Sequence, residues 1–396
     1  MTQPSSRDLL RLYDKDGTIS EMRSAVRTFA EKEILPLDGP ASEQSEFPNQ
    51  LWPKMGEQGF LGVTAAEKFG GLALGYLAHL VITEEISRCS GSIGLSYIAH
   101  SNLCVNQISL NGTPAQKAKY LPGLIAGTSI GALAMSEANA GSDVMAMSCS
   151  ATPADGGYLL NGTKLWITNG GSADVLVVYV KTDKEKKKIT AFLVTRDMEG
   201  FKRGQKIHKI GMKASETYEL VFDNCFVPTA NILGEFNGGG KVLMSGLNYE
   251  RLILAGGALG LGRAAFEESL NYTSDRMQFG KAINRNQAIA FDLAEMSTSL
   301  DRERAFAYST AALIDKSPKN TQDKALNLLC AEVFLSAAQA ADQISSRAVE
   351  LHGGNGYSTE YRVGRIWNDA KLYMIGGGTS DIRKLVVARE LGLNVS

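Results

Sequence analysis

The sequence predicts an α+β fold divided in three: a helical stretch over residues 1–125, a β-domain over 126–235 and a helical bundle over 236–396. Three observations carry that reading. The first third holds helical patterns cut by prolines, the middle holds β-rich runs, and the last holds long alanine- and leucine-rich stretches interrupted by Pro318 alone. A chain of 396 residues has room for two or three domains with cores of their own.

In the first part, ISEMRSAVRTFAEKEIL (19–35) keeps Met22, Val26, Phe29 and Ala30 on one helical face, and Pro36, Pro40, Pro48 and Pro53 are expected to break the helix afterwards. In the middle, YLLNGTKLWIT (158–168) sets an Asn-Gly pair between apolar runs, a hairpin signal. DVLVVYV (174–180) and ITAFLV (189–194) read as strands, and the charged run KTDKEKKK (181–188) between them reads as a solvated loop rather than a binding patch. In the last part, GLGRAA (260–265) satisfies G-x-G-x-x-A but lies inside a helical run and follows no strand. Close helix packing explains it better than a dinucleotide loop.

Composition excludes several classes. Lys plus Arg (41) nearly cancels Asp plus Glu (42), which argues against nucleic acid or an anionic membrane as partner. Five scattered cysteines with no CxxC pair fit reduced thiols, and four histidines show no metal-ligand spacing. No apolar run approaches membrane-spanning length, and MTQPSSRDLL lacks a signal-peptide core. The chain is expected to be soluble and intracellular, with no metal.

Glu250, in SGLNYERLILAGG, has Gly246, Leu247, Ile253 and Leu254 as helical neighbours, so its carboxyl sits on an apolar stripe. Two readings stay open: a general base with a raised pKa, or a core glutamate paired with an arginine from another helix. LAMSEANAGSD (133–143) and WITNG (166–170) combine short hydrogen-bonders with an aromatic, enough to hold a flat heteroaromatic ring or simply a buried Trp beside a polar loop. SDRMQFGKAINRNQAIAFDLAEM (274–296) offers Arg276 and Gln287 for phosphate and sugar, or as ordinary surface groups. LHGGNGYS (351–358) is a tight glycine turn. KLYMIGGGTSDIRK (371–384) puts three glycines before Thr379-Ser380-Asp381, a helix N-cap signal, so the chain there needs unusual dihedrals or close approach to something.

Taken in order, MSEANAGSD, WITNG, DRMQFGKAI…Q, GGNGY and DAKLY…GTS resemble the acyl-CoA dehydrogenase family over essentially the whole chain. GSIGLSYIAHSNLCVNQI, VLMSGLNYERLILAGG and DAKLYMIGGGTS look most like the subfamily acting on short branched acyl-CoAs, isovaleryl-CoA above all. The resemblance implies a helical N-terminal domain, a β-barrel or sandwich middle domain and a C-terminal four-helix bundle. It implies FAD between the last two, with Leu133, Met135, Ser136, Gly141 and Ser142 lining the flavin. Trp166 and Ile167 would lie against the ring, Thr168 near its reactive edge, and Thr379, Ser380 and Asp381 beside it. Arg276, Gln287 and the Gly353–Gly354 turn would meet the phosphates and adenosine partly from a neighbouring subunit, which implies at least a dimer, usually a tetramer.

The implied chemistry removes the α-proton of an acyl-CoA with a carboxylate while hydride leaves the β-carbon, and passes electrons to electron-transferring flavoprotein. Substrate contacts fall on Ser142, Asn248, Tyr249, Arg251, Gly376, Gly377 and Gly378. Most members carry the base at the position of Gly377; in this chain the resemblance places it at Glu250. The Gly377 N–H would then meet the thioester carbonyl, and Gly376, in place of a bulky residue, would leave room for a branch. Two departures stand out: Asn248 where Asp is usual, and Gly377 where alanine is common. Alternatives are another short- or medium-chain acyl-CoA dehydrogenase, an oxygen-using oxidase or hydroxylase of the same fold, and a flavin-free binding protein. The implied location is the mitochondrial matrix in a eukaryote and the cytoplasm in a bacterium.

Overall fold

A computed structural model describes residues 8–183, 185, 187–317 and 323–395. Its first part comprises helices α1 (Thr18–Phe29), α2 (Leu35–Gln44), α3 (Leu51–Glu57), α4 (Gly75–Cys89), α5 (Gly91–His100), α6 (Gln107–Asn111) and α7 (Pro114–Ile125). Val26 and Ala30 are buried, and Met22 and Phe29 pack half-buried against the same core. Pro48 lies in the break between α2 and α3, as expected, but the other prolines do not break a helix. Pro36 and Pro40 lie inside α2. A π-helical turn over Ala30–Ile34 resets the ladder between α1 and α2, so Pro36 falls in a first turn, where its missing N–H costs nothing. Pro53 sits in the first turn of α3 in the same way.

The middle part is one sheet of β1 (Gly131–Ala134), β2 (Ser150–Ala154), β3 (Gly157–Thr168), β4 (Val175–Asp183), β5 (Lys188–Thr195), β6 (Phe201–Lys206), β7 (Thr217–Pro228) and β8 (Ile232–Leu233). Its order is β6-β7-β3-β2-β4-β5-β8, with β1 parallel against β4. Asn161–Gly162 is not a hairpin turn. The pair lies within β3, where a bulge against β7 falls between Leu160 and Gly162. Gly162 has φ +134°, and a Cβ there would stand 2.8 Å from the Cα of Cys149, so close strand approach explains the glycine. The hairpin turn is Asp155–Gly156, where Gly156 has φ +71° and Ala154 pairs with Gly157. The strands β4 and β5 also extend into the charged run, pairing Asp183 with Lys188; residues 184 and 186 lie outside the described residues.

The last part holds α8 (Gly239–Asp275), a two-strand ribbon of β9 (Met277–Gln278) and β10 (Lys281–Ala282), then α9 (Gln287–Lys316), α10 (Lys324–His352), α11 (Arg362–Leu372) and α12 (Ser380–Glu390). Pro318 lies outside the described residues. The GLGRAA segment is mid-helix in α8. A Cβ on Gly256 would stand 2.9 Å from the Leu80 carbonyl oxygen, and one on Gly260 would collide with that of Glu84, so this glycine row lets α4 and α8 touch backbone to backbone. The three parts meet at one apolar cluster. It joins Val177 and Tyr179 of β4 to Val105 and Ile108, to Leu121 and Leu124 of α7, and to Val242 and Leu243 of α8.

Candidate active site

Glu250 lies one turn beyond that junction on α8. Leu243 and Leu247 share its face and pack toward the sheet, while Leu254 is buried in the bundle. Its carboxyl is half-buried, and among the described residues it makes no hydrogen bond or ion pair. Burial pushes its pKa up to about 7, only partly opposed by the charge of Arg251. Among the described residues no arginine from another helix pairs with it. Arg251 turns instead into the bundle, where its Nη1 donates to Asn327 Oδ1 at 2.6 Å. Nearby, the buried Tyr179 hydroxyl has no hydrogen-bond partner; burial, and then the Glu250 charge, raises its pKa. Tyr249 stacks flat on Tyr76, with ring centroids 4.0 Å apart, and with Asn248 lines a small cleft between α8, α9 and α10.

The three glycines form the link between α11 and α12. Gly376 N–H donates to the Leu372 carbonyl at 2.7 Å, and Ser380 N–H closes the turn on the Met374 carbonyl at 3.0 Å. Thr379 caps α12 by accepting from Ile382 N–H at 3.2 Å. Gly377 (φ +65°) and Gly378 (φ +86°) are left-handed; Gly376 is not. A Cβ on Gly377 would collide with Leu254 Cδ1 and stand 3.0 Å from the Phe334 ring. Leu254 is the i+4 neighbour of Glu250, so the turn packs against α8 one helical turn beyond the Glu250 position. The Gly377 N–H donates to no protein group among the described residues. Asp381 is exposed and pairs with Lys384 at 3.1 Å.

At the end of β3, Trp166 takes φ +65° in a bulge between Lys164 and Ile167, and its indole stands 56% exposed. Ile167 is buried beneath it, and Thr168 pairs with Thr217. Leu165 N–H donates to the Ser136 carbonyl at 2.9 Å, joining this strand end to the segment after β1. Leu133 and Met135 are half-buried against the same junction that holds Leu247, while Gly141 and Ser142 are exposed at the loop tip. These residues fit a flavin: a ring platform held out of the sheet in a left-handed conformation, beside main chain at a strand edge.

Sequence reasoning missed what holds this loop. Lys164 Nζ, fully buried, donates to the Met135 carbonyl and to Glu137 Oε1, both at 2.8 Å. Glu137 also accepts from Ser148 N–H and Oγ–H and from Cys149 N–H. Burial opposes its ionisation, but Lys164 and these donors outweigh it and hold the carboxyl below its ordinary range. The available signal was a lysine sharing the strand parity of buried Leu160.

Arg276, Gln287, Gly353 and Gly354 are exposed at the far end of the bundle. Tyr272 stacks on His352 at 4.1 Å and accepts from Asn355 Nδ2 at 3.1 Å, which holds the Gly353–Gly354 turn against the last turns of α8. Along α8, however, Arg276 stands about 39 Å from Glu250 at 1.5 Å per residue. One chain does not bring the two sets together.

The family models for the acyl-CoA dehydrogenase N-terminal, middle and C-terminal domains match residues 18–128, 132–225 and 237–392. The chain is 49% identical over 380 residues to the mitochondrial isovaleryl-CoA dehydrogenase of Solanum tuberosum, covering 95% of this chain and 91% of that one. It is 47% identical over 380 residues to the mitochondrial 2-methylacyl-CoA dehydrogenase of the same plant, with the same two shares, 95% and 91%. Butyryl-CoA dehydrogenase from Megasphaera elsdenii matches the structure with a TM-score of 0.90 at 33% identity, over 94% of this chain and 97% of that one. With all three domains matched in order, the chain belongs to the acyl-CoA dehydrogenase family of FAD-dependent oxidoreductases.

Proposed function

We propose that this enzyme converts isovaleryl-CoA to 3-methylcrotonyl-CoA with Glu250 as the base. The observation that carries the reading is a half-buried carboxyl, its pKa raised to about 7 and unpaired among the described residues, one turn along α8 from Leu254, which packs against Gly377, whose N–H has no protein partner among those residues. Glu250 takes the α-proton, and the Gly377 N–H donates to the thioester carbonyl, where negative charge develops as the proton leaves. Bound FAD supplies the acceptor for the hydride from the β-carbon. Trp166 and the Leu133–Ser142 segment orient the cofactor ring. Gly376 has an ordinary backbone conformation, so its missing side chain serves space and not the turn, and that space suits the branch of the acyl group. Arg276, Gln287 and the Gly353–Gly354 turn complete the cofactor site of a second copy, which makes the working unit at least a dimer, arranged as a homotetramer. Electron-transferring flavoprotein takes up the electrons. In a eukaryote the location is the mitochondrial matrix.

The test is anaerobic flavin reduction. Glu250→Gln is expected to keep fold and FAD but to be reduced by isovaleryl-CoA roughly 10² to 10⁴-fold more slowly. A rate within about threefold of the parent removes Glu250 as the base.

A further inference from the structure

Arg383 is 1% exposed, and among the described residues no carboxylate pairs with it. Its guanidinium is bonded instead to three main-chain carbonyls. Nε donates to Gly378 at 2.9 Å, Nη1 to Phe334 at 3.2 Å, and Nη2 to Tyr373. The fork therefore ties together the two ends of the glycine turn, residue 373 before it and Gly378, its last residue. The same guanidinium lies 3.8 Å from the Phe334 ring centroid, and that ring is one of the two groups packed against Gly377.

Three successive glycines have wide conformational freedom, so the turn cannot by itself hold a peptide plane in one orientation. A planar fork with fixed donors can. We propose that Arg383 is a positioning residue whose clamp aims the Gly377 N–H at the thioester carbonyl. The inference rests on the reading of Gly377 as the carbonyl's donor. An arginine merely capping carbonyls to stabilise the fold would affect every ligand alike. One that aims a single N–H affects only ligands that present an oxygen to it.

The experiment compares two ligands on the FAD-loaded enzyme: 3-methylcrotonyl-CoA and its thioether analogue, in which CH₂ replaces the thioester carbonyl. The parent is expected to bind the thioester about tenfold tighter, the value of one well-made hydrogen bond. Arg383→Lys, which keeps the charge and loses the fork, is expected to remove most of that preference while thioether affinity stays within about twofold, and to lower kcat about tenfold or more. If Arg383→Lys does not retain FAD, Arg383→Gln, which keeps an amide donor toward Gly378, carries the same comparison. Equal weakening of both ligands, or an unchanged preference, overturns the positioning role and leaves the Gly377 donor standing. A parent with no preference overturns the Gly377 donor and Arg383's role with it.

Discussion

At the scale of single residues, the carboxyl of Glu250, as the proposed base, links pH to rate. Its pKa is raised to about 7 by burial, and a base must be deprotonated to act. The rate of flavin reduction is expected to rise with pH through about 7 and then level; a midpoint in the ordinary carboxylate range, near 4 to 5, contradicts the assignment. The sign for stability is opposite. Because the folded state holds this proton more tightly than the unfolded chain, the contribution of Glu250 is fully present below its unfolded pKa and is lost as pH rises toward 7. In the proposed reaction Gly376 sets specificity. A Cβ there would meet Leu372 at 3.5 Å, an ordinary contact, so Gly376→Tyr is tolerated by the backbone. The kcat/KM ratio of isovaleryl-CoA to butyryl-CoA is expected to fall about tenfold or more, as a filled pocket excludes a branch. An unchanged ratio would mean the position serves only the loop. The sequence marked this turn as a place of close approach, but it could not tell the two left-handed glycines from the third. Glu137 with Lys164 stayed invisible as a pair, because two residues 27 positions apart are brought together by the fold and by no local pattern.

At the scale of elements, α4 is held to its neighbours by a buried ionic network. Glu85 accepts from Arg23 of α1 at 2.9 Å, from Arg27 at 2.9 Å and from Arg263 of α8 at 2.7 Å. Glu84 meets Arg304 of α9 at 3.1 Å. Glu85→Gln is expected to cost about 3–5 kcal/mol, since it leaves several buried guanidinium groups short of charge. Burial works against ionisation of Glu85, but Arg263 and Arg27 outweigh it and hold its carboxyl well below the usual range. Its stabilisation is therefore present above the unfolded carboxylate pKa and is lost only as pH falls through the lower folded value. Melting temperature against pH, parent and variant, checks both: the gap between them should close in acid. Helices and strands were legible wherever periodicity ran on for two turns or more. They were misread where one residue shifted the ladder, as at the π-turn before Pro36 and at Gly162, because both devices preserve local composition while moving the register.

At the scale of the whole molecule, the length of α8 governs. The sequence showed a helical run over residues 250–270; the structure extends it to one helix from 239 to 275 and so separates Glu250 from Arg276. Arg276→Ala is expected to raise the FAD dissociation constant about tenfold or more and to weaken subunit association with it, since in the proposed assembly the group contacts a cofactor held by the other chain. FAD content together with sedimentation checks this, and a fully loaded, fully assembled variant removes Arg276 from the site. Reciprocity between two chains has a consequence for genetics. In a mixed pair of one Glu250→Gln chain and one Arg276→Ala chain, one centre collects both lesions and the other receives neither. Random mixing makes about half of all pairs mixed, so at FAD concentrations too low to load the Arg276→Ala protein the two variants together should regain roughly a quarter of parental activity once their subunits exchange. Two such defective alleles in one cell would complement each other, whereas two alleles that both alter Glu250 would not.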